Sequence, residues 1–405
     1  MVKITCVGGG PSGMYFAILA KLRDRRHDVT VVERNKPGTT HGWGVSWSDE
    51  LLDELYAHDP VTGRRLRAAS REWNGQQVCI NDHPTAHIGG RYGYSINRTV
   101  MQDIFTDRAR ELGVNLVYEE VVDNACEVES DLVVAAEGVS SKLRTRHEAE
   151  FGPTYTPGRN RYMWLGTTKV FPTFYWHFRS TQAGWIWAWA YPSAEYNSTF
   201  IVECAPSTWS ALGFDRLAPD DQLRVIEQIF APTLGGHRVL QPPRAAVPQK
   251  WVTFREIRCK RWYHRNVALV GDAAHTTNFG IGSGTSLGLM DAVMLARHAL
   301  APGIDVADGL AEYDRVRRPE VARIQDAAML SMRWFEEADD RLNANDPVQV
   351  AYSLFNRRND QAPWRYQVHL ATQIEPLRRV RSQITLARRA VKGVARNHRH
   401  PLVMV

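Results

Sequence analysis

Cysteine is scarce in this sequence, and long apolar runs are absent. The five cysteines are far apart, with no CxxC pair and no paired histidine ligands, which argues against a disulfide framework and a zinc site. Without a run of about 18 apolar residues, no membrane-spanning helix is predicted. The N-terminal stretch MVKITCV is short and runs into glycines, as a buried strand does and a signal peptide does not. These features predict a cytoplasmic protein without a metal site.

Low-complexity segments and internal repeats are also lacking. With 405 residues, 44% of them hydrophobic, the chain can form one large or two modest domains. The formal net charge is +6, and basic residues concentrate at 377–400. We interpret that run as a solvated basic helix in preference to a nucleic-acid surface, and contacts with a phosphorylated small ligand stay open.

The first 35 residues have the pattern of a βαβ unit with a glycine turn. Gly8, Gly10 and Gly13 form GxGxxG between an apolar strand and a helix. The first glycine permits the tight turn, the second lets backbone approach a pyrophosphate, and the third lets helix and strand pack closely. Glu33 ends the next strand, twenty residues beyond Gly13, where a carboxylate can bind ribose hydroxyls. This favours FAD or NAD over a turn that serves packing alone.

The pattern of apolar residues changes twice in the later segments. From about residue 155, alternating aromatic segments predict antiparallel strands, and NVALVGD then returns to the buried-strand pattern. The chain after Leu287 reads as mostly helical. We therefore predict an α/β fold, a Rossmann-like FAD-binding domain interrupted by an antiparallel β-sheet substrate domain, with C-terminal helices. The predicted divisions are 1–154 and 264–340 for the FAD-binding domain, 155–263 for the sheet domain and 341–405 for the helical region.

Two further turns follow predicted buried strands. The segment EGVSSKLR, from Glu137 to Arg144, reads by itself as a strand-to-helix turn with a cap. In GDAAHTTNFGIGSGTSLGLMD, Asp272 ends a strand at the sheet edge where open α/β sheets bind ligands. The glycine turn after it leads into a helix whose free N–H groups can bind an anion or a carbonyl. It is not a P-loop, because no lysine follows the glycines.

These three motifs, in this order and spacing, resemble those of the single-component FAD-dependent aromatic hydroxylases. The resemblance implies that GxGxxG holds the FAD pyrophosphate and that Glu33 holds the adenosine ribose. It associates the middle motif with both FAD and pyridine nucleotide, and the third motif with the ribityl chain and the flavin ring. Arg98, in SINRTVMQDIF, is implied to reach the phosphates. The implied FAD-binding residues are Gly8, Gly10, Ser12, Gly13, Glu33, Arg34, Gly44, Val45, Arg98, Gly138, Asp272, Gly282, Gly284, Thr285 and Ser286.

Segments without a cofactor role narrow the resemblance to one branch of that family. GWGVSWSD, GRNRYMWLGTT, STFIVEC and YDRVRRPEVARIQDAA look like the branch of salicyloyl-CoA 5-hydroxylase, the flavin portion of 2-aminobenzoyl-CoA monooxygenase/reductase and a violacein-pathway indole hydroxylase. Two residues depart from the wider family. Glu137 stands where aspartate is usual, which puts the nicotinamide role of that turn in doubt. Phe279 stands where proline is usual, which supports placement in the aryl-CoA branch.

The resemblance implies a reaction in which NAD(P)H, bound transiently, reduces FAD. O2 then gives a flavin hydroperoxide whose distal oxygen is attacked by an electron-rich ring. A general base would assist, and the candidates are His41, His177 and Tyr191, each of which has a structural role as the alternative. We expect His275 to serve the geometry of its turn.

Tryptophan-rich strands are candidates for the wall of an aromatic-substrate pocket. Strand alternation predicts that about half of these side chains point elsewhere. WIWAW also resembles the W-x-W-x-I-P element of flavin-dependent halogenases, but Trp189-Ala190 replaces I-P, which disfavours halogenation. For the phosphates of a CoA substrate, the candidates are Arg64, Arg65 and Arg67 or the late basic helix. The candidate wall residues are Trp164, Trp176, Trp185, Trp187 and Trp189.

The sequence therefore predicts an FAD-dependent hydroxylase of an aromatic acyl-CoA thioester such as salicyloyl-CoA. One alternative is a hydroxylase of an indole, tryptophan-derived or free aromatic substrate. Another, from a different class, is a flavoprotein that binds FAD without oxygenating anything. We expect a monomer or homodimer that uses O2 and an aromatic small molecule and binds neither nucleic acid nor membrane.

Overall fold

The computed structural model describes residues 1–245 and 248–358, apart from the side chains of residues 83–84 and 88–91. The predicted basic helix at 377–400 lies outside these residues.

Strands and helices alternate in the first part of the chain, and helices dominate its end. The strands are β1 (Lys3–Val7), β2 (Asp28–Glu33), β3 (Gly44–Trp47), β4 (Arg71–Ile80), β5 (His83–Asn97), β6 (Asn115–Tyr118), β7 (Leu132–Ala135), β8 (Pro153–Thr167), β9 (Phe174–Thr181), β10 (Gly184–Pro192), β11 (Ser198–Cys204), β12 (Val239–Leu240), β13 (Val252–Cys259), β14 (Tyr263–His264) and β15 (Val267–Leu269). The helices are α1 (Pro11–Arg23), α2 (Asp49–His58), α3 (Pro60–Ala69), α4 (Arg98–Glu111), α5 (Lys142–Arg146), α6 (Glu148–Phe151), α7 (Pro206–Ala211), α8 (Pro219–Ile229), α9 (Ala231–Leu234), α10 (Gly284–Ala299), α11 (Val306–Glu336), α12 (Ala338–Ala344) and α13 (Pro347–Asn356).

A six-stranded sheet carries the βαβ unit that the sequence predicts. Its order is β14-β15-β7-β1-β2-β6, and all neighbours are parallel except the edge pair β14–β15. The central strands β1, β7 and β15 are almost fully buried because helices cover the sheet, as their runs of Val, Ile and Leu indicate. Helix α1 packs against α10, so the first and third motifs meet at the carboxyl edge of this sheet.

The larger sheet has nine strands and differs in extent from the predicted one. Its order is β12-β8-β11-β10-β9-β4-β5-β3, with β13 added beside β8, and its one parallel pair in the described chain is β4–β9. Strands β3, β4 and β5 come from within the predicted first FAD-binding segment, 1–154. They join the larger sheet because β4 pairs with β9, from Gln76 opposite Phe174 to Ile80 opposite Phe178.

Each face of the larger sheet packs against helices. Ile186 and Ala188 of β10 face a core that includes Phe230 beside α8. Trp187 and Trp189 face the opposite core, which includes Phe335 of α11. The predicted α/β fold with an interrupting antiparallel sheet and later helices is thus confirmed. No helix within the described ranges is long and apolar enough to cross a membrane.

Candidate active site

A large cavity lies between the two sheets. It measures about 1570 Å³ and is lined at one end by the β1–α1 glycine turn and at the other by tryptophans of the larger sheet. Most of the predicted FAD-binding residues line it; Gly13 and Gly44 do not.

Each glycine of the first turn has a distinct physical reason to be there. A Cβ on Gly8, which has φ +108°, would lie 2.4 Å from the Ala136 carbonyl oxygen. A Cβ on Gly13 would lie 2.2 Å from the Gly8 oxygen, so Gly13 serves helix–strand packing. A Cβ on Gly10 would meet no described heavy atom within 4 Å. Gly10 therefore keeps open cavity space beside the N-terminus of α1.

Glu33, at the end of β2, is held against this turn. Its Oε2 accepts a hydrogen bond from the Gly9 N–H at 2.8 Å. Its Oε1 accepts from the Asn35 N–H at 2.8 Å and from Asn35 Nδ2 at 2.7 Å. The carboxylate and the neighbouring Arg34 both line the cavity.

Arg98 and Asp272 bring opposite charges to the cavity. Arg98 is the first residue of α4, and its buried Nε has no hydrogen-bond acceptor among the described residues. Burial lowers the pKa of Arg98, and Asp272 opposes that change. Burial likewise raises the pKa of Asp272, which lines the cavity, while His275 and Arg98 lower it. The unsatisfied guanidinium nitrogen points to an anionic group that the protein itself does not provide.

The middle motif builds a helix cap. Glu137 accepts hydrogen bonds from Ser141 Oγ at 2.5 Å and from the Lys142 N–H at 2.9 Å, so the glutamate caps α5. Fully buried Arg144 donates to the carbonyl oxygens of Val139 at 2.6 Å and Ala273 at 2.9 Å, which ties this turn to the GDAAH turn. Gly138, at φ +79°, lines the cavity.

The third motif forms the central wall of the cavity. After a short 3-10 turn at Phe279–Ile281, Gly282 adopts φ +64°, and α10 begins at Gly284 without a side-chain cap. Gly282, Gly284, Thr285 and Ser286 all line the cavity. The backbone N–H groups of the first turn of α10 are therefore left for a ligand.

Ser12 fills the gap between α1 and α10. A Cβ on Gly288 would lie 2.2 Å from Ser12 Oγ, and one on Gly271 would lie 2.7 Å from it. Ser12 thus contributes to helix packing as well as lining the cavity.

His275 holds the turn from beneath, as the sequence predicts. Its Nε2 lies 2.7 Å from Asp291 Oδ2, and Asp291 Oδ1 accepts from Arg317 Nε at 2.8 Å. Asp291 Oδ2 also accepts from the Gly271 N–H at 2.9 Å. Burial raises the pKa of Asp291, but His275 and Arg317 outweigh it and hold that pKa below the ordinary value.

Five aromatic residues form a cage beside the 3-10 turn. Phe279 lies 4.3 Å from Tyr162, 4.8 Å from Trp189 and 6.0 Å from Trp164 between ring centroids. Trp176 completes the set at 4.9 Å from Trp189, and all five line the cavity. We call Tyr162, Trp164, Trp176, Trp189 and Phe279 the aromatic cage.

Two of the five candidate tryptophans lie outside the cavity, although not because of strand alternation. Trp185, Trp187 and Trp189 share one face of β10, with spacing of two. Trp187 is covered by Phe335, and its Nε1 donates to Glu203 at 3.1 Å. Trp185 Nε1 donates to Asn343 at 2.8 Å. Their position along the strand, under α11 and α12, removes them from the cavity.

Tyr162 is the cage residue that sequence reasoning missed. Its hydroxyl has no hydrogen-bond partner among the described residues, and burial, with Asp272 and Glu203 nearby, raises its pKa to about 12. The phenol therefore stays protonated at neutral pH and can donate a hydrogen bond. In the sequence, nothing marks the tyrosine of RNRYMWLG as a site residue except its place in a predicted strand that also contains a tryptophan.

None of the three candidate bases is placed to remove a proton from a ring bound in the aromatic cage. His177 lies outside the cavity, where its ring bonds to the Asn81 carbonyl oxygen at 2.7 Å and to Thr233 Oγ1 at 2.7 Å. Tyr191 lines the cavity, but its hydroxyl donates to the Gly44 carbonyl oxygen at 3.0 Å and burial raises its pKa.

His41 lines the cavity beside Arg34 and Arg98. Partial desolvation and these two guanidinium groups lower its pKa. Its neighbours place it at the end of the cavity that holds Glu33, so its surroundings suit contact with an anion better than proton removal from a ring.

Arginines near the cage differ from those that the sequence singled out. Arg65 pairs with Glu111 at 2.7 Å and Arg67 with Asp53 at 2.8 Å, and neither they nor Arg64 line the cavity. Arg255 does line it and is exposed; it lies in β13, the strand whose Val252 pairs with Tyr162, and its guanidinium is 5.0 Å from the centroid of the Tyr155 ring.

The described residues fit FAD on three independent observations. The space next to Gly10 admits a group at the N-terminus of α1, and the orphaned Arg98 Nε suits a phosphate. The uncapped N-terminus of α10 faces the same cavity.

A Rossmann-like glycine turn that opens into an aromatic-lined cavity is typical of a dinucleotide-dependent oxidoreductase, and comparison with known proteins identifies the dinucleotide as FAD. The sequence matches the FAD binding domain family over residues 108–328. It is 33% identical to salicyloyl-CoA 5-hydroxylase of Streptomyces sp over 366 residues, covering 88% of this chain and 70% of the relative. It is 32% identical to 3-hydroxy-4-methyl-anthranilyl-[aryl-carrier protein] 5-monooxygenase of Streptosporangium sibiricum over 364 residues, covering 90% and 96%.

Among solved structures, the tetrameric form of 2-methyl-3-hydroxypyridine-5-carboxylic acid oxygenase has the same fold, with a TM-score of 0.67 and 18% identity over 84% of this chain and 91% of that one. The chain belongs to the FAD binding domain family and is an FAD-dependent aromatic monooxygenase. FAD is its cofactor, and NAD(P)H is the co-substrate typical of the family.

Proposed function

We propose that this enzyme hydroxylates the aromatic ring of an acyl thioester, with salicyloyl-CoA as the first candidate. The observation that carries the proposal is the aromatic cage, which places a protonated Tyr162 hydroxyl among apolar rings next to the Phe279–Ile281 turn. Two relatives act on aromatic acyl groups joined to CoA or to a carrier protein, as their names state.

The hydrogen bonds of the buried Arg357, beside the cage, support the proposal of a thioester. Arg357 lies over the Trp176 ring at 4.8 Å, but its guanidinium is already bonded to Ser331 Oγ at 2.8 Å, Leu354 O at 2.6 Å and Gly280 O at 2.5 Å. A carboxylate that paired with this guanidinium would have to displace one or more of these acceptors. An uncharged thioester avoids that competition, and its chain can extend towards exposed Arg255.

The chain's own residues orient the ring and exclude water. The cage offers ring faces for stacking, and Tyr162 donates a hydrogen bond to a hydroxyl or carbonyl oxygen of the substrate. FAD, once bound and reduced by NAD(P)H, supplies the activation of O2. The tight aromatic packing of Trp176, Trp189 and Phe335 closes the far side of the cage to water.

For the cofactor, we assign the pyrophosphate to the N-terminus of α1 and to Arg98, with His41 beside it. Glu33 holds the adenosine ribose, and Asp272 the ribityl chain. The first turn of α10, from Gly284, then faces the flavin ring.

The test compares substrates on the FAD-loaded enzyme. NAD(P)H oxidation and hydroxylated product are measured with salicyloyl-CoA, free salicylate, the phosphopantetheine thioester on an aryl-carrier protein, and an indole substrate. We expect product only with the thioesters, at about one product per NAD(P)H. Product with salicylate or indole alone would reject the thioester proposal. If none of these ligands promotes reduction and reoxidation of the flavin, oxygenation itself is rejected.

Arg255 provides a second measurement on the same proposal. If it meets the phosphates of CoA, Arg255→Ala raises KM for salicyloyl-CoA by about fivefold and leaves KM for the shorter salicyloyl-pantetheine unchanged. Arg238→Ala, at an exposed arginine paired with Glu227, is the matched control. An equal rise in KM for both thioesters would show that Arg255 does not bind the phosphates of CoA.

A further inference from the structure

Outside the cavity, two histidines and a glutamate converge. His147, Glu150 and His264 each offer one ligand atom, and these atoms all lie within 4.8 Å of one another. His147 lies between α5 and α6, Glu150 lies in α6 one helical turn further on, and His264 comes from β14. The cluster therefore joins two segments that are far apart in the chain.

Packing holds both imidazoles in place. Their ring centroids are 5.4 Å apart, and each stands edge-on to the fully buried Phe151 ring, at 6.3 Å for His147 and 6.5 Å for His264. Backbone bonds fix the same junction, since the N–H groups of Lys260 and Arg261 donate to the oxygens of Gly152 and Phe151 at 3.3 and 3.2 Å.

The ligand atoms of this cluster are not used by the protein. Within residues 1–245 and 248–358, no side-chain hydrogen bond or ion pair within 4.0 Å commits the imidazole nitrogens of His147 and His264 or the carboxylate of Glu150. Two imidazoles and one carboxylate are a ligand set that zinc and the late first-row divalent ions accept, with the remaining position open to water.

We propose that His147, Glu150 and His264 form a site for a divalent transition-metal ion and that Zn²⁺ is the preferred ion. The ligand atoms close by small rotamer changes to the shorter spacing that zinc–nitrogen bonds of about 2.0–2.1 Å require. Arg261 and Arg265 flank His264, so the site is weaker than one in neutral surroundings and the ion is exchangeable.

The position of the site gives the ion a structural consequence. Helix α5, directly before His147, carries Arg144, which bonds to the Ala273 carbonyl oxygen of the GDAAH turn. Strand β14 continues into β15, which leads to the same turn. A bound ion would therefore clamp the two segments that support the cofactor-facing turn, without touching the cavity.

The experiment uses the FAD-loaded chain, stripped with EDTA and desalted. Isothermal titration with ZnCl2 in a non-chelating buffer is expected to show one site with micromolar affinity, and Zn²⁺, but not Mg²⁺, raises the thermal midpoint. His264→Ala and Glu150→Gln each weaken zinc binding by about tenfold or more. His237→Gln, which removes an exposed histidine elsewhere, leaves it unchanged.

Electron paramagnetic resonance of bound Cu²⁺ can identify the ligands, because oxidised flavin gives no paramagnetic signal. The copper spectrum of the parent protein should show coupling to two imidazole nitrogens, and His264→Ala should reduce it to one. Equal zinc affinity in the parent and in both cluster variants would overturn the proposal, as would a copper spectrum without nitrogen coupling. Glu150→Gln keeps the test valid if a histidine variant fails to fold, because Glu150 packs against neither the cavity nor the core.

Discussion

At the scale of single residues, Tyr162 carries the sharpest prediction about substrate binding. Its hydroxyl has no hydrogen-bond partner among the described residues, as is also true of the buried Nε1 atoms of Trp164 and Trp189, and it is protonated at neutral pH because its pKa is about 12. Tyr162→Phe keeps the ring against Phe279 but removes the donor. We expect kcat/KM for the thioester to fall about fivefold, the equivalent of about 1 kcal/mol for one hydrogen bond, with FAD content unchanged.

Tyr191→Phe is the matched control for that change. Its hydroxyl is committed to Gly44, so removing it should lower the thermal midpoint while kcat/KM changes less than it does in Tyr162→Phe. If the two variants lose kcat/KM equally, Tyr162 has no special contact with the substrate.

His177 makes a prediction about stability because it is buried in a neutral state. Burial lowers its pKa to about 4, opposed by the Asn81 carbonyl, whereas an unfolded histidine titrates near 6.5. Between these values the unfolded chain binds a proton that the folded chain does not. The free energy of unfolding therefore falls as pH drops from about 6.5 to 4, by about 1–3 kcal/mol from this residue, and has its full value above pH 6.5.

Urea unfolding at several pH values checks this slope. His177→Gln should be less stable at pH 7.5, because its bonds to Asn81 and Thr233 are altered, yet lose less stability on acidification than the parent. Exposed His237→Gln should keep the parent's slope. A parallel slope in His177→Gln would show that the pKa of His177 is not lowered in the folded protein.

At the scale of elements, the β1–α1 turn separates glycines that serve folding from one that serves binding. Gly10 has φ −70° and open space around its Cβ position, so Gly10→Ala should fold normally. The added methyl group would occupy the space of the pyrophosphate, and we expect FAD affinity to fall about tenfold or more. Gly13→Ala should instead destabilise even the apoprotein, by about 1–3 kcal/mol, because its Cβ would overlap the Gly8 oxygen.

Flavin content and apoprotein thermal midpoint distinguish the two glycine variants. The assignment fails if Gly10→Ala binds FAD like the parent, or if Gly13→Ala melts like the parent without FAD.

Elements also show what the sequence can and cannot predict. The β1–α1–β2 unit is encoded locally, by a run of apolar residues, a glycine turn and a terminal Glu33. The local pattern was therefore sufficient to predict this unit. Strand β4 begins with exposed Arg71 and Glu72, and its place depends on pairing with β9 far along the chain, which no local pattern records. Trp187 and Trp189 likewise share one face and both contact Phe335 of α11, but only Trp189 also lies against Phe279 at the cavity.

At the scale of the whole molecule, α11 joins the two halves of the active site. In its central part, Arg317 holds Asp291 beneath the GDAAH turn, and at its end Phe335 packs on Trp176 and Trp189 of the cage. One continuous helix therefore supports both the cofactor-facing turn and the aromatic wall. Such an arrangement should make the two sheets unfold together.

Arg317→Ala tests this coupling. It leaves Asp291 with one fewer partner in a buried site, for which we expect a loss of about 3–5 kcal/mol. Flavin fluorescence reports release of FAD, and tryptophan fluorescence reports mainly the larger sheet. In the parent both signals should share one thermal midpoint, and in Arg317→Ala both should shift down together, although Arg317 contacts none of the cage residues. Arg315→Ala, at an exposed residue of the same helix paired only with Glu312 in the described contacts, should shift neither. Release of flavin at a lower temperature than an unshifted tryptophan transition would mean that α11 does not couple the sheets, and that the cage keeps its shape without the turn below it.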